Sequence, residues 1–252
     1  MKHVQHIFIC GLHRSGTSIL HKYLRSHPEI SGFIGTGAPQ DEGQHLQSVY
    51  PIAGVLSCPG KFGFDPESHM DESHPLANPE TAERLFLEWS HHWDLSKKFL
   101  VEKSPPNILK TRFLQKLFPR SYFVVIFRHP VAVAKATQKW SKTSSISLLE
   151  HSLLCYETFR QDLPFLRNVH LLRYEDLVHK PDVEIERILD WLQISQHHCK
   201  MTIKSDINEK YYHDWEDEGI IYPFVNGVDS RLMYEERLSK FGYSLGEEKV
   251  VG

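Results

Sequence analysis

Apolar residues occur along this chain in short, nearly continuous runs, separated by longer stretches with helical periodicity. Four such runs stand out: His6–Cys10, Phe99–Val101, Tyr122–Phe127 and Val169–Leu172. Strands that are buried on both faces, as in a parallel sheet, show this pattern instead of a strict alternation of apolar and polar residues. The pattern therefore predicts an α/β fold in which helices flank a central parallel β-sheet and right-handed crossovers connect its strands.

The segments between these runs carry helix start signals. Asn78-Pro79 and Ser104-Pro105 each place a capping residue before a proline, which is typical of the first turn of a helix. These two signals predict helices from Pro79 to about Trp93 and over Asn107–Phe118. Further helices are predicted at Ile19–Ser26, from Pro130 to about Trp140, at Ile146–Asp162, from Pro181 to about Trp191, and at Arg231–Lys240.

One long segment, from Ser31 to His74, follows neither the helical nor the strand period. Glycine, proline, serine and aspartate are frequent in it. Long irregular segments in compact domains are usually functional, so we expect this segment to contribute to a binding or catalytic site.

Composition narrows the class of protein. The 252 residues are enough for one domain with a full core, and the formal net charge of -3 argues against broad binding to nucleic acid or membranes. No apolar run approaches the ~20 residues that span a bilayer. The first predicted strand begins at His6, which leaves no room for a signal peptide. We therefore expect a cytoplasmic protein.

The cysteines and histidines do not form a metal-binding pattern. The four cysteines, Cys10, Cys58, Cys155 and Cys199, contain no C-x-x-C pair, and the 17 histidines show no H-x-x-x-H or H-E-x-x-H spacing. We therefore expect no structural metal, and we expect Cys10 and Cys155, which lie in apolar runs, to be buried thiols.

A glycine-rich turn, Gly11–Ser18, follows the first predicted strand and has the sequence GLHRSGTS. A turn of this kind between a strand and a helix aims unpaired backbone N–H groups at one point, where the helix dipole attracts an anion. The spacing is close to the phosphate loop G-x-x-x-x-G-K-S/T, but Thr17 occupies the lysine position and Arg14 supplies a cation inside the turn.

Four segments of the chain together resemble the sulfotransferases that use 3′-phosphoadenosine-5′-phosphosulfate (PAPS). His13–Ser18 is similar to that family's 5′-phosphosulfate loop, and Glu102–Pro105 to the E-K-S/T-P segment of its glycan and protein-tyrosine branch. Val124–Pro130 is similar to the 3′-phosphate segment, and Arg173–Leu177 to the R-Y-E-D-L segment. They occur in the family's order, at the ends of predicted strands or in the turns after them.

The resemblance spans roughly residues 5–192 and implies a fold like that of the P-loop-containing nucleotide hydrolases. It implies PAPS as the cofactor, with no metal required, and a hydroxyl-bearing acceptor: a glycan, a glycolipid, a tyrosine or a small alcohol. Residues 1–252 would form a single sulfotransferase domain with its core at about 5–192. Residues 197–252 would cover the cofactor and acceptor, with Asn226-Gly227 and Arg231 as a candidate flap. The oligomeric state does not follow from the sequence.

The resemblance also implies roles for single residues. The 5′-phosphosulfate would be held by His13, Arg14, Ser15, Gly16, Thr17 and Ser18. Arg128 would bind the 3′-phosphate. The family's serine eight residues later is Ala136 here, so either Thr137 or Ser141 replaces it or the phosphate is held less fully. Tyr174 would contact the cofactor near its adenine, or else pack on the predicted helix at 182–191.

The catalytic candidates are two cations and two alternative bases. Negative charge grows on the leaving phosphate oxygen during sulfuryl transfer, so the fixed cations Arg14 and Lys103 would stabilise it. The protein-tyrosine branch takes the acceptor proton with a glutamate in the loop after the first helix, so Glu42 is the first candidate base and His45 the second. The alternative for Asp41 and Glu42 is a solvated acidic turn. Tyr211, Tyr212 and Trp215 either line the acceptor site or belong to the core.

Two other functions remain open at this stage. A P-loop kinase of small molecules would share the strand order and the turn, but it needs the loop lysine and a carboxylate that holds Mg²⁺. A catalytically idle adenosine-bisphosphate binder would not need Arg14, Lys103 and Glu42, all of which are present.

Overall fold

The computed structural model describes residues 4–56, 59–197, 207–222, 224–225 and 228–245. Within these ranges one parallel sheet contains the strands β1 (Gln5–Cys10), β2 (Ile30–Gly32), β3 (Phe99–Lys103), β4 (Ser121–Phe127) and β5 (Val169–Arg173). The four strands predicted from apolar runs are therefore confirmed, each within two residues of its predicted ends. A short antiparallel pair, β6 (Phe224–Val225) and β7 (Val228–Asp229), lies near the C-terminus.

The sheet has the strand order β2-β3-β1-β4-β5, so the first strand of the chain lies at its centre. The register pairs Ile9 with Lys103 on one side and Cys10 with Val125 on the other. Because all five strands of this sheet are parallel, the turns that follow β1, β3 and β4 meet at one edge. The turn Gly11–Ser18 is thereby brought next to Lys103 and Arg128.

Alternate residues of the central strands pack into separate hydrophobic clusters on the two faces of the sheet. Phe8 and Phe123 join one cluster, with Trp89 and Phe113. Ile7 and Val124 join the other, which contains residues of the helices on the opposite face. Burial on both faces accounts for the continuous apolar pattern in the sequence.

The described part of the chain forms the following helices: α1 (Thr17–Ser26), α2 (Pro79–Ser90), α3 (Thr111–Leu117), α4 (Pro130–Gln138), α5 (Ser145–Asp162), α6 (Tyr174–His179), α7 (Pro181–Trp191), α8 (Ile207–Asp217) and α9 (Ser230–Ser239). Asn78 caps α2 by accepting a hydrogen bond from the Thr81 N–H at 2.9 Å, as its position before Pro79 predicts. The helix ends at Ser90, three residues before the predicted end.

A helix is present within the predicted range Asn107–Phe118, but its predicted start and its cap at Ser104 were wrong. Residues Pro105–Leu109 form a 3-10 turn, Lys110 leaves helical geometry, and α3 begins only at Thr111. Two consecutive prolines remove two backbone donors from the first turn. The Ser104 hydroxyl does not cap this turn; it accepts a hydrogen bond from the N–H of Gln44.

The sequence patterns missed β2, α6 and α8. Strand β2 contains three residues and lies at the start of the segment that was expected to be irregular. The rest of that segment is held by short 3-10 turns, of which Pro39–Asp41 and Gly43–His45 flank Glu42. Helix α8 is highly polar and packs on α4.

Cys10 and Cys155 are buried free thiols, as expected, whereas Cys58 and Cys199 lie outside the described residues. Over the described ranges, no helix is both long and apolar enough to pass through a bilayer. Nor do three or more histidine, cysteine or carboxylate side chains in that part of the chain come together as a metal site would need.

Candidate active site

The turn between β1 and α1 has a conformation that only a few residue types adopt without strain. Gly16 has φ 103°, and a Cβ atom there would lie 2.6 Å from the Tyr174 ring. Arg14 has φ 67°, a left-handed conformation that costs a residue with a side chain about 1–3 kcal/mol. Such strain is typical of ligand-binding turns. The turn leads directly into α1, whose first N–H groups have no partner within the helix.

A pocket of about 220 Å³ opens beside this turn. Its lining includes the start of α1 (Gly16, Thr17, Ser18 and Ile19), the side chains of His13, Arg14, Gln40 and Glu42, and residues from other elements: Pro105, Arg128, Trp140, Tyr174 and Tyr211. Five of the six predicted loop residues therefore line one pocket. Ser15 is the exception: it is fully buried, and its hydroxyl donates to the Leu12 carbonyl at 2.7 Å within the turn.

Lys103 and Glu42 form an ion pair next to this pocket. The ammonium Nζ lies 3.0 Å from Oε1 of Glu42 and donates a second bond, 3.1 Å long, to the Gln40 carbonyl. The other carboxylate oxygen of Glu42 accepts a 2.6 Å bond from the Gln44 amide. Both Lys103 and Glu42 are buried, which disfavours the solvated acidic turn as an account of Glu42.

Two histidines lie near Glu42. Nε2 of His45 is 3.9 Å from Oε2 of Glu42, and His45 is not part of the pocket lining. His13 lines the pocket, and burial lowers its pKa to about 4 although the Glu42 carboxylate opposes the shift. His13 is therefore neutral at physiological pH and can contribute a hydrogen-bonding group but no charge.

Arg128 reaches the pocket from the end of β4 and is held by a residue that the sequence analysis missed. One nitrogen donates to the Arg14 carbonyl at 2.6 Å, and two others donate to the Asn208 side-chain oxygen at 2.9 and 2.6 Å. The Asn208 amide in turn donates to Glu175 at 2.9 Å. Asn208 belongs to α8, and no sequence signal linked that polar helix to the arginine.

Of the two expectations left open for Tyr174, the structure shows the packing on α7. Its ring packs in the same cluster as Ile185 and Ile188 of α7, and it also lines the pocket. The Arg128 guanidinium carbon lies 4.2 Å from the ring centre, close enough for a cation–π contact. Whether the other side of the ring contacts adenine stays a prediction.

Of the three aromatic candidates Tyr211, Tyr212 and Trp215, Tyr211 lines the pocket. Trp215 is buried in a hydrophobic cluster, and Tyr212 packs against that cluster. Burial raises the pKa of Tyr211, but the hydrogen bond and charge of Lys139 and the charge of Arg128 outweigh burial and hold that pKa below its ordinary value. The Lys139 ammonium lies 3.4 Å from the phenol oxygen.

Ala136 occupies the position of the family's serine, and Ala136, Thr137 and Ser141 are not part of the pocket lining. Ala136 is buried against Ala132 and Tyr211, and Thr137 lines a separate small cavity with Gly60 and His151. The Ser141 hydroxyl donates to Thr143 at 2.6 Å. A second 3′-phosphate ligand from Thr137 or Ser141 stays a prediction.

Trp140 forms part of the pocket's wall. Its side chain is 58% exposed, and the Arg14 guanidinium carbon lies 4.6 Å from the ring centre. The candidate flap residues Asn226 and Gly227 lie outside the described residues.

The fold and this site together define an α/β protein with a phosphate-loop-like turn at the carboxyl edge of a parallel sheet. The sequence model of the sulfotransferase family matches residues 6–198, and the chain belongs to that family. The matched range includes all four segments that carried the resemblance.

Individual relatives are distant. Nodulation protein NoeE of Sinorhizobium fredii is 23% identical over 224 residues, which cover 72% of this chain and 48% of that protein. The chain thus spans about half the length of this curated relative.

Solved structures share the fold. The sulfotransferase STF1 from Mycobacterium tuberculosis has a TM-score of 0.61 at 15% identity, covering 94% of this chain and 76% of that one. The sulfotransferase domain of the Synechococcus PCC 7002 olefin synthase has a TM-score of 0.56 at 16% identity, covering 95% of both chains.

Proposed function

We propose that this protein transfers the sulfuryl group of PAPS to an acceptor hydroxyl. The observation that carries the proposal is that Arg14 and Glu42 line the pocket beside the start of α1, with the buried Lys103 ammonium bound to Glu42 behind the lining. Membership of the sulfotransferase family supports it. One anion-binding turn, two cations and one carboxylate are the groups that the reaction needs.

The residues of the pocket fit the charged parts of this donor. The free N–H groups of the first turn of α1 and the Arg14 guanidinium suit the 5′-phosphosulfate. Arg128, buried and facing the same pocket, suits the 3′-phosphate. Tyr174 and Tyr211 offer aromatic surface close to Arg128. The donor, when bound, supplies the activated sulfonate.

The chain's own groups then have separate tasks. As the S–O bond to the phosphate breaks and the bond to the acceptor oxygen forms, Arg14 and Lys103 stabilise the charge that develops on the leaving oxygen and the sulfonate. Glu42 takes the proton from the acceptor hydroxyl. Glu42 is bound to Lys103, so base and cation are held next to each other.

The first experiment is a thermal-shift comparison of adenosine 3′,5′-bisphosphate with ATP and Mg²⁺. A sulfotransferase is stabilised by the first ligand and a P-loop kinase by the second. Stabilisation by ATP–Mg²⁺ alone would contradict the proposal and favour phosphoryl transfer.

The second experiment is a screen of acceptors with a radiolabelled sulfate donor, using glycans, glycolipids, tyrosine peptides and small alcohols. Transfer to any class distinguishes the enzyme from an idle bisphosphate binder. Glu42→Gln should then lose turnover but keep its affinity for adenosine 3′,5′-bisphosphate, since Glu42 acts on the acceptor. If Glu42→Gln stays active, His45→Ala becomes the variant that tests the base.

A further inference from the structure

Glu102 is a fully buried carboxyl group that does not line the pocket and forms no salt bridge with any cation in the described part of the chain. It lies on β3 directly before Lys103. Its Oε1 atom accepts hydrogen bonds from the Gly43 N–H, at 3.0 Å, and from the Ser104 hydroxyl. Its Oε2 atom accepts one from the Asn107 side chain.

The backbone that Glu102 holds is the segment that carries Glu42. The next N–H along, that of Gln44, donates to the Ser104 hydroxyl at 2.9 Å, and the Trp89 indole donates to the Gly43 carbonyl at 2.9 Å. A Cβ atom on Gly43 would lie 2.5 Å from the Glu102 carboxylate. The two segments therefore approach as closely as they do because residue 43 has no side chain.

This contact joins the two segments that carry Glu42 and Lys103. Glu42 precedes Gly43, and Lys103 follows Glu102, so the 3.0 Å contact between Glu42 and Lys103 lies one residue from the bond between Gly43 and Glu102. A carboxylate can accept all three hydrogen bonds, from the Gly43 N–H, the Ser104 hydroxyl and the Asn107 amide, at the same time. Burial nevertheless raises the pKa of Glu102 to about 7, against the hydrogen bonds of Ser104 and Asn107. An apolar residue would avoid this desolvation, which makes a purely structural role a costly one.

We propose that Glu102 is a positioning residue for sulfuryl transfer, which anchors the Gly43 backbone to β3 and thereby holds Glu42 opposite Lys103. The inference rests on the proposed function, in which Glu42 takes the acceptor proton.

Hydrogen exchange of the Gly43 and Gln44 amides, measured by NMR, tests the anchor without any assay of activity. Glu102→Leu should speed exchange at both amides. Glu102→Gln should keep both protected, because its amide oxygen can still accept from Gly43 and the Asn107 amide can turn over to match. Gly43→Ala reaches the contact from the other segment and should behave like Glu102→Leu. Unchanged exchange in both Glu102→Leu and Gly43→Ala would overturn the anchor.

Asp162→Asn is the matched control. Asp162 is a buried carboxylate that binds His69 and Arg112, away from the pocket. Its loss should lower thermal stability and leave both amides and the turnover of the folded protein unchanged.

Turnover tests the positioning role. Glu102→Leu should lower kcat about 100-fold, the size of effect that a misplacement of roughly 1 Å produces, with unchanged affinity for adenosine 3′,5′-bisphosphate. Glu102→Gln should keep most of the wild-type kcat. The double variant Glu42→Gln/Glu102→Leu should have nearly the same kcat as Glu42→Gln alone, because Glu102 acts through Glu42. Wild-type kcat in Glu102→Leu, or a second full loss in the double variant, would refute positioning.

The two proposals can fail separately. If Glu42→Gln alone keeps wild-type turnover, the base assignment fails, whereas the amide exchange still decides whether Glu102 anchors the segment.

Discussion

The ammonium group of Lys103 lies 3.0 Å from the Glu42 carboxylate, and their side chains are 0% and 8% exposed. Removing one member of such a pair leaves the other as a buried, uncompensated charge. Removing both leaves none. The effects of substitutions at these two positions on the free energy of unfolding should therefore not be additive.

We expect Lys103→Met to lower the free energy of unfolding by about 3–5 kcal/mol, because Glu42 loses its main partner. The double variant Lys103→Met/Glu42→Gln should be more stable than Lys103→Met alone. Urea unfolding followed by circular dichroism measures both. Equal or lower stability of the double variant would show that the pair is not coupled as its distance implies.

Arg14→Ala should lower kcat by about 10²–10³-fold, because a fixed donor to the developing charge is lost. Relief of its left-handed backbone is not expected, since alanine is strained there as well. Steady-state kinetics with the labelled donor measures the loss. Arg84→Ala, an exposed arginine on α2 bound to Glu88, is the control and should turn over normally. Normal turnover in Arg14→Ala would remove this residue from the mechanism.

Gly16→Ala and Gly35→Ala separate packing from backbone strain. Both glycines have positive φ, 103° and 64°, but a Cβ at Gly16 meets the Tyr174 ring, whereas one at Gly35 meets no atom of the described residues within 4 Å. Gly35→Ala should cost about 1–2 kcal/mol and leave ligand binding intact. Gly16→Ala should cost more, because Tyr174 is buried and cannot withdraw, and it should weaken adenosine 3′,5′-bisphosphate binding. Calorimetric titration and thermal unfolding of both variants decide; equal effects would mean that strain alone matters at Gly16.

The parts of the site that the sequence predicted depend on local signals. The run of apolar residues before Gly11, the glycine spacing and the strand before Arg128 are each contained in a few consecutive positions. Parallel pairing then places the ends of β1, β3 and β4 at one edge, so Arg14, Lys103 and Arg128 could be expected together before any contact was known.

The parts that it did not predict depend on contacts between distant segments. Asn208 lies 80 positions after Arg128, and its helix is too polar to show a core-facing pattern. The sequence identified Glu102 only as one residue of a motif and did not predict its contacts. Two of its hydrogen-bond donors lie in the turn that follows it, and the third is a backbone N–H 59 positions earlier. The start of the helix predicted over Asn107–Phe118 was wrong for a related reason: a capping signal cannot show that the Ser104 hydroxyl is already bound elsewhere.

Stability should depend on pH through Glu102 in a direction opposite to that of an ordinary surface carboxylate. Burial raises its pKa from 4.5 to about 7, and the Ser104 and Asn107 hydrogen bonds and the Lys103 charge only partly oppose this. The folded protein thus binds the Glu102 proton more tightly than the unfolded chain does. Its contribution to stability is greatest below the unfolded pKa and is lost as pH rises through about 7.

Buried histidines such as His6 and His13, whose pKa values are lowered, change stability with pH in the opposite sense, so the wild-type profile alone does not isolate Glu102. The informative quantity is the difference between Glu102→Gln and wild type, in which the histidines cancel. We expect this difference to move in favour of Glu102→Gln by about 2–3 kcal/mol at most between about pH 5 and about pH 8. Urea unfolding at several pH values measures it. A constant difference across that range would mean that the Glu102 carboxyl is ionised throughout, with its donors fully offsetting burial.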